Sequence, residues 1–334
     1  MKLNREKFLK MLTILRAGID ARGMIEQASC FIFRDNQVVS FNDIISISHP
    51  MDLDIQGAIP SDELIKLLNR LKAEEITLEQ SENEILITSG KTKAGLTIHQ
   101  EIVLPLAEIG KIGHWKKLPS NFCKCVKFAM QACSSDMRYP VLTAINVTRD
   151  GFIDGSDSFR ILRTIANKEM PVADFLLPAA AAAEVIKLDP TQITEGDGWV
   201  HFRNEQNIVI SCRIFQDSYP DVSKHLQVTG EEVQFPKTLQ EALDRASIFS
   251  KRDHFLDEAV TIHIADKKIR LRGESEVGWL EEEANIRYEG EPLKFSVAPY
   301  LLQDILKETL VCTIGTRLLK FKTEEWQYVA LIRS

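Results

Sequence analysis

The chain says the same thing three times. Segments opening at Leu3 (LNREKFLKMLTIL), Leu118 (LPSNFCKCVKFAM) and Phe235 (FPKTLQEALDRAS) each begin on an apolar residue and a short polar lead-in, then set apolar residues at helical spacing. Leu118 follows Leu3 by 115 residues, and Phe235 follows Leu118 by 117. A second helical phrase trails each first one, at Ile59 (IPSDELIKLLNRL), Leu177 (LPAAAAAEVIKL) and Val297 (VAPYLLQDILKET), with spacings of 118 and 120. Two independent markers recurring at nearly one period point to three tandem copies of a domain, with expected limits at 1–113, 114–224 and 225–334. The period is too long for a solenoid of the ankyrin or leucine-rich kind and suits a domain with its own core.

Between the two helical phrases of each copy lies a block of alternating apolar and polar residues: ASCFIFRDNQVVSF, VLTAINVTRDGFIDGSDSFRILR and AVTIHIADKKIRLRGESEV. This alternation predicts half-buried strands, with hairpin turns at Asp35-Asn36, Asp150-Gly151 and Asp266-Lys267. Further strand pairs follow each second helix (ITLEQSENEILITSG, WVHFRNEQNIVISCRI, LVCTIGTRLLKFKTEEWQYVALI). The expected fold class is therefore α+β, with helices on one face of antiparallel sheets. Apolar runs fall short of a membrane span and the N-terminus lacks a signal-peptide layout, so a soluble, cytoplasmic protein with no membrane partner is expected. Six cysteines in 334 residues are too sparse for a disulfide scaffold. Cys123 and Cys125 form a C-x-C, but on a helix they point about 200° apart and do not chelate one metal together.

Charge is uneven. The formal net charge is −7, yet residues 2–22 carry +4, residues 114–133 carry +4 and residues 235–252 carry +2, which leaves −17 on the rest. These basic segments are the first helical phrases of the three copies. With Phe8, Leu12, Leu15 and Ile19 forming the apolar stripe, Lys7 and Lys10 point outward. With Phe122, Val126, Ala129 and Cys133 buried, Lys124, Lys127 and Gln131 point outward, and Lys66 does so on the second helix of the first copy. Basic helices on an acidic body focus a polyanion onto one surface and repel it elsewhere. Solvation of an exposed face is the better account of any one lysine, and it is the bias across the first two copies of an acidic chain that raises the polyanion reading.

Several phrases, in matching order along the whole chain, resemble the bacterial DNA polymerase III β subunit, the processivity sliding clamp. KTLQEALDRASIFS followed by ESEVGWLEEEANIRYEGEPLKFSVAPYLLQDIL is similar to that family's helix, acidic strand, G-E-P-L turn and Y-L-L-D-x-L helix. SYPDVSKHL resembles its F-P-D-Y linker, and RYPVLTAINV and GSDSFRIL resemble its R-P-x-L-x-G and T-D-G-H-R-L strands. In the first copy AIPSDELIKLLNRL and ILITSGKTKAGLTI match the corresponding helix and strand pair. Departures at several positions mark a remote member, of the kind a phage encodes.

The resemblance implies a head-to-tail homodimer whose six domains ring duplex DNA without reading its sequence, tethering DNA polymerase and engaging the clamp loader, with no catalysis and no cofactor. It places DNA contacts at Arg22, at the end of the first helix, and at Arg138 and Tyr139, beside the helix lysines Lys7, Lys10, Lys66, Lys124 and Lys127. It places the dimer interface at Lys91, Lys93 and Leu96 against Ile248, Phe249, Glu281, Glu282 and Glu283, with Ala94 where the family often has a bulky aromatic. A pocket for partner peptides maps to Val141, Ser156, Ser158, Phe159, Arg160, Ile161, Pro220, Lys224, His225, Val329, Ala330, Leu331, Ile332 and Arg333. Ser158-Phe159 replaces the usual G-H and Ala330-Leu331-Ile332 the usual M-P-M, so an altered peptide preference is expected.

Two other classes compete. For an enzyme the sequence offers no G-x-x-x-x-G-K-S/T, no H-E-x-x-H and no G-x-S-x-G. Asp154 and Asp157 lack nearby His or Cys partners and read as turn chemistry rather than a metal site. The other competitor is a repeat protein that binds or regulates replication proteins without encircling DNA; complementarity between the first copy's last strand and the third copy's acidic strand separates the two.

Overall fold

The computed structural model describes residues 1–20, 22, 25–110, 112–252 and 257–333. Its element order repeats three times as strand, helix, four strands, helix, three strands. The first pass is β1 (Lys2–Asn4), α1 (Arg5–Leu15), β2 (Cys30–Arg34), β3 (Gln37–Phe41), β4 (Ile45–Pro50), β5 (Gly57–Pro60), α2 (Ser61–Arg70), β6 (Glu75–Gln80), β7 (Glu84–Ser89) and β8 (Thr92–Thr97). The second is β9 (Lys116–Lys117), α3 (Phe122–Ala129), β10 (Ala144–Val147), β11 (Phe152–Ser156), β12 (Arg160–Ile165), β13 (Phe175–Pro178), α4 (Ala179–Leu188), β14 (Gln192–Glu195), β15 (Trp199–Arg203) and β16 (Val209–Arg213). The third is β17 (Glu231–Gln234), α5 (Leu239–Ser247), β18 (Val260–Ala265), β19 (Lys268–Ser275), β20 (Gly278–Asn285), β21 (Leu293–Val297), α6 (Tyr300–Gln303), α7 (Ile305–Glu308), β22 (Val311–Ile314), β23 (Leu318–Lys322) and β24 (Trp326–Leu331).

By packing, the chain divides into two compact units that cut through the middle repeat: 1–127 with 148–151 and 167–216, and 128–147 with 152–166 and 217–334. The first unit holds a four-stranded antiparallel sheet, β1-β6-β7-β8, and an eight-stranded one, β5-β2-β3-β4-β16-β15-β14-β9. In the latter, strands of two repeats join at β4–β16, with Ile47 opposite Ile210. The second unit holds the sheet β20-β19-β18-β21 and the run β10-β11-β12-β24-β23-β22-β17, where two repeats join at β12–β24 with Leu162 opposite Tyr328.

Local chemistry explains the hairpins. Asp35 and Asn36 have φ of 50° and 56°, and Asp266 and Lys267 have 52° and 61°. Positive φ at both central residues is the type I′ turn that matches strand twist. At Asp150-Gly151 the connection is longer, with Gly151 at φ 87° and the last strand pair at Val147 and Ile153.

Helix-to-sheet packing sets the ends of the helices. A Cβ at Gly155 would sit 2.1 Å from the Ala129 carbonyl oxygen, and one at Gly273 would sit 2.1 Å from that of Ala246. In the first repeat the small residue is on the other side, where a Cβ at Gly18 would lie 2.4 Å from Ser40 Oγ. Helix α1 consequently stops at Leu15, followed by a 3-10 turn at Arg16–Gly18, and Ile19 is extended. The expected stripe therefore loses Ile19, and Arg22 lies in the loop beyond the helix instead of at its end. Likewise α3 stops at Ala129 and a 3-10 turn spans Met130–Ala132, leaving Cys133 extended. The third repeat's second helix is broken into α6 and α7; its first turn is wound on i→i−3 bonds from Leu301 N–H to Ala298 O and from Leu302 N–H to Pro299 O. All six cysteines are free thiols.

Candidate nucleic-acid and partner interfaces

In the first unit, α1 buries Phe8, Met11, Leu12 and Leu15 and leaves Lys7 and Lys10 exposed. Helix α3 buries Phe122, Cys125, Val126 and Ala129 and exposes Lys124 and Lys127. Lys66 is exposed on α2, one turn from Asp62, to which its Nζ donates at 3.1 Å. The Arg22 side chain is 78% exposed; its backbone N–H donates to Asp20 Oδ1 at 2.9 Å, which fixes the loop while leaving the guanidinium outside. In the second unit Arg138 and Tyr139 are exposed ahead of the 3-10 turn Pro140–Thr143. Arg138 bonds Asp136 through Nε and Nη2, the latter at 2.7 Å, and that hydrogen bonding holds the Asp136 carboxyl below its usual range. Long, exposed cations of this kind suit phosphate contacts, which do not read base edges.

A groove of about 370 Å³ in the second unit runs beside the β12–β24 joint. It brings together nine of the residues singled out from the sequence: Ser156, Ser158, Phe159, Arg160, Ile161, Pro220, His225, Val329 and Leu331. The others lie beside it for reasons of strand period and turn geometry. Val329 and Leu331 face the groove, so Ala330 and Ile332, one residue out of phase, turn into the core of the third repeat. Arg333 is held by a backbone bridge to Ser296. Lys224 is exposed on the 3-10 turn Ser223–Leu226, and the 3-10 turn at Pro140–Thr143 presents Leu142 in place of Val141. Sequence reasoning missed Leu142, Asp221, Val222 and Leu318. Leu318 was within reach, because it is the cross-strand partner of Leu331.

Backbone and charge shape this groove. Ser158 adopts φ 75°, a left-handed conformation costly for a residue with a Cβ. The turn is held by Asp157, whose Oδ1 accepts from the N–H groups of Phe159 and Arg160, both at 3.0 Å, and whose Oδ2 accepts from Arg160 Nε at 2.9 Å. Burial raises the Asp157 pKa against the pull of Arg160. The Arg160 guanidinium lies 5.1 Å from the centre of the Tyr300 ring, in a second, adjoining cavity of about 600 Å³ that also takes in Cys133 and Tyr139. Burial pushes the Cys133 thiol up to about 12, so it stays protonated at neutral pH. Asp157 thus does the turn work expected of it. Asp154 does not: it is 1% exposed on β11 and takes both Arg163 Nε (2.7 Å) and Nη2 (2.8 Å) from the neighbouring strand. Among the described residues no group of three or more His, Cys, Asp or Glu side chains is placed to hold a metal ion, and no helix is long and apolar enough to cross a membrane.

Among the strands that end a sheet are β8 in the first unit and β20 in the second. On β8, Ala94 and Leu96 are half-buried and Lys93 is exposed, with Lys91 exposed in the turn before it. On β20, Glu281 and Glu283 are exposed and share a face with Arg270, Arg272 and Lys268 of β19; Glu283 bonds Lys268 and Arg270, and Glu281 lies 3.6 Å from Arg272. Glu282 points the other way, to Arg245 on α5, so the acidic stretch does not act as one patch. Near the start of β20 lies an exposed apolar cluster, Ile248 (64%), Val277 (89%) and Trp279 (61%), with Phe249 half-buried beside Gly278.

No protein-family model and no curated protein matches the sequence. Solved structures do. The DNA polymerase III subunit β of Pseudomonas aeruginosa superposes with a TM-score of 0.87 at 15% identity, covering 100% of this chain and 99% of that one. The Thermotoga maritima β subunit gives 0.84 at 17%, covering 100% and 98%. The Streptococcus pneumoniae β chain gives 0.86 at 20%, covering 100% and 99%. Over its full length the chain has the fold of the bacterial DNA polymerase III β subunit, the sliding clamp.

Proposed function

We propose that the chain is a DNA sliding clamp: two copies close head to tail into a ring of six domains, with domain limits at 1–113, 114–224 and 225–334 in each. The ring surrounds duplex DNA, tethers a DNA polymerase for processivity, and works in the cytoplasm on nucleoid DNA without catalysing a reaction. One observation carries this reading. Inside the chain, the third strand of one repeat's four-strand block pairs with the last strand of the next repeat, as β4–β16 and as β12–β24. One strand of each class is left over, β20 and β8, and each is a sheet edge. A second copy supplies both missing partners, and such a heterologous contact closes into a ring.

The exposed lysines of α1 and α3, with Arg22, are the duplex-facing charges of this reading, and topological linkage lets each phosphate contact stay weak enough to slide. The groove beside β12–β24 accepts extended peptides with apolar anchors from a polymerase and a clamp loader. Reversing Lys10, Arg22, Lys124 and Lys127 to glutamate abolishes retention on closed circular DNA while the dimer still assembles. Equal retention of this variant and the parent would contradict the assignment of the DNA-facing surface.

A further inference from the structure

Resting on the clamp reading, we infer the residue-by-residue register of the contact between two copies: Ala94 of one stands opposite Leu280 of the other, Lys93 opposite Glu281, Lys91 opposite Glu283, and Gly95 opposite Trp279. The repeats supply the register. Ser40 on β3, Gly155 on β11 and Gly273 on β19 are equivalent, since each is the strand residue at the close approach of the preceding helix end. Their cross-strand partners are Ile47, Leu162 and Leu280.

The other side is counted from the turn after each second helix. Ser81, Gly196 and Gly315 close equivalent turns, donating to the carbonyls of Glu84, Trp199 and Leu318. The residues three positions earlier, Leu78, Ile193 and Cys312, pair with Ile87, Phe202 and Phe321. Those in turn pair with Ala94, Ile210 and Tyr328. Both internal joints match these two counted positions to each other, as Ile47 with Ile210 and as Leu162 with Tyr328. The same rule places Leu280 against Ala94.

The chemistry of the resulting pairs agrees with the register. Directly opposite residues of an antiparallel pair share a face. Lys91 and Lys93 meet the two glutamates on the face away from the helices, whereas Glu282, bonded to Arg245, stays on the helix side. A slip by one residue would put the lysines on the face opposite those glutamates. Trp279, 61% exposed and with the Arg272 guanidinium 5.0 Å from its ring centre, falls over Gly95, where the exposed Glu84 carboxylate fills the space a Cβ would take and swings aside to admit the ring. Where the internal joints use Ile210 and Tyr328, this contact has only Ala94, so the aromatic area comes from Trp279 on the other face.

Cross-linking tests the register. In both internal joints the flanking hydrogen bonds, Arg213 N–H to Ile44 O and Leu331 N–H to Phe159 O, leave the Ile47–Ile210 and Leu162–Tyr328 pairs without mutual bonds. Such pairs have Cα atoms about 4.5 Å apart, inside disulfide range. The variant carrying Ala94→Cys and Leu280→Cys is therefore expected to oxidise to a covalent dimer in most chains, with the parent as blank for its native thiols. A dimer by light scattering that cross-links through Ala94→Cys with Glu282→Cys, and not with Leu280→Cys, overturns the register and leaves the clamp reading standing. A chain that stays monomeric at every concentration overturns both. Should the cysteine variant misfold, Lys93→Glu alone and Glu281→Lys alone should each weaken dimerisation roughly fivefold, with the double exchange restoring it; additive losses in the double exchange overturn the pairing.

Discussion

His201 lies on β15 with no exposed surface; its Nδ1 is 2.8 Å from Ser211 Oγ, and its Nε2 is buried without a hydrogen-bond partner. Burial lowers its pKa from 6.5 to about 4. The unfolded chain therefore takes up this proton near pH 6.5 and the folded one only near 4. Its contribution is complete above pH 6.5 and is lost at about 1.4 kcal/mol per unit as the pH falls toward 4. Urea unfolding at pH 7 and pH 5 should show the parent losing more stability than His201→Gln; equal losses would contradict this account. At the same scale the groove was legible at Asp157, whose type and position read as turn chemistry, while its other residues came through the family resemblance. It was illegible where one residue of phase decides, as with Ala330 and Ile332, which only the pairing of β24 with β12 and β23 turns inward.

Elements were legible in proportion to how local their causes are. Asp35-Asn36 and Asp266-Lys267 carry their own turn geometry, and the hairpins formed where expected. The end of α1 was not legible, because Ile19 continues the apolar period while the close approach of Gly18 to Ser40 stops the helix from a distance. Nor were the joints, since the alternation of β4 or β12 does not say which distant strand it meets. The contact at Gly155 gives a direct test: Gly155→Val puts a branched side chain where even a Cβ would meet the Ala129 carbonyl at 2.1 Å. Overpacking against backbone costs about 1–3 kcal/mol. Denaturant unfolding should register a loss in that range, and a change under about 0.5 kcal/mol would mean that helix and sheet are not held together as tightly as this geometry requires.

For the whole molecule, the repeated helices concentrate positive charge on an acidic chain, and the two strands left over from the joining classes, β8 and β20, both end their sheets. Those features and the fold meet in one claim, that two copies make a ring around DNA. Negative-stain electron microscopy of the purified protein, sorted into class averages, tests that claim most directly. Closed rings of six lobes around a hole wide enough for duplex DNA are expected. Three-lobed arcs that persist as the protein concentration is raised would contradict the claim and favour a binder that does not encircle DNA.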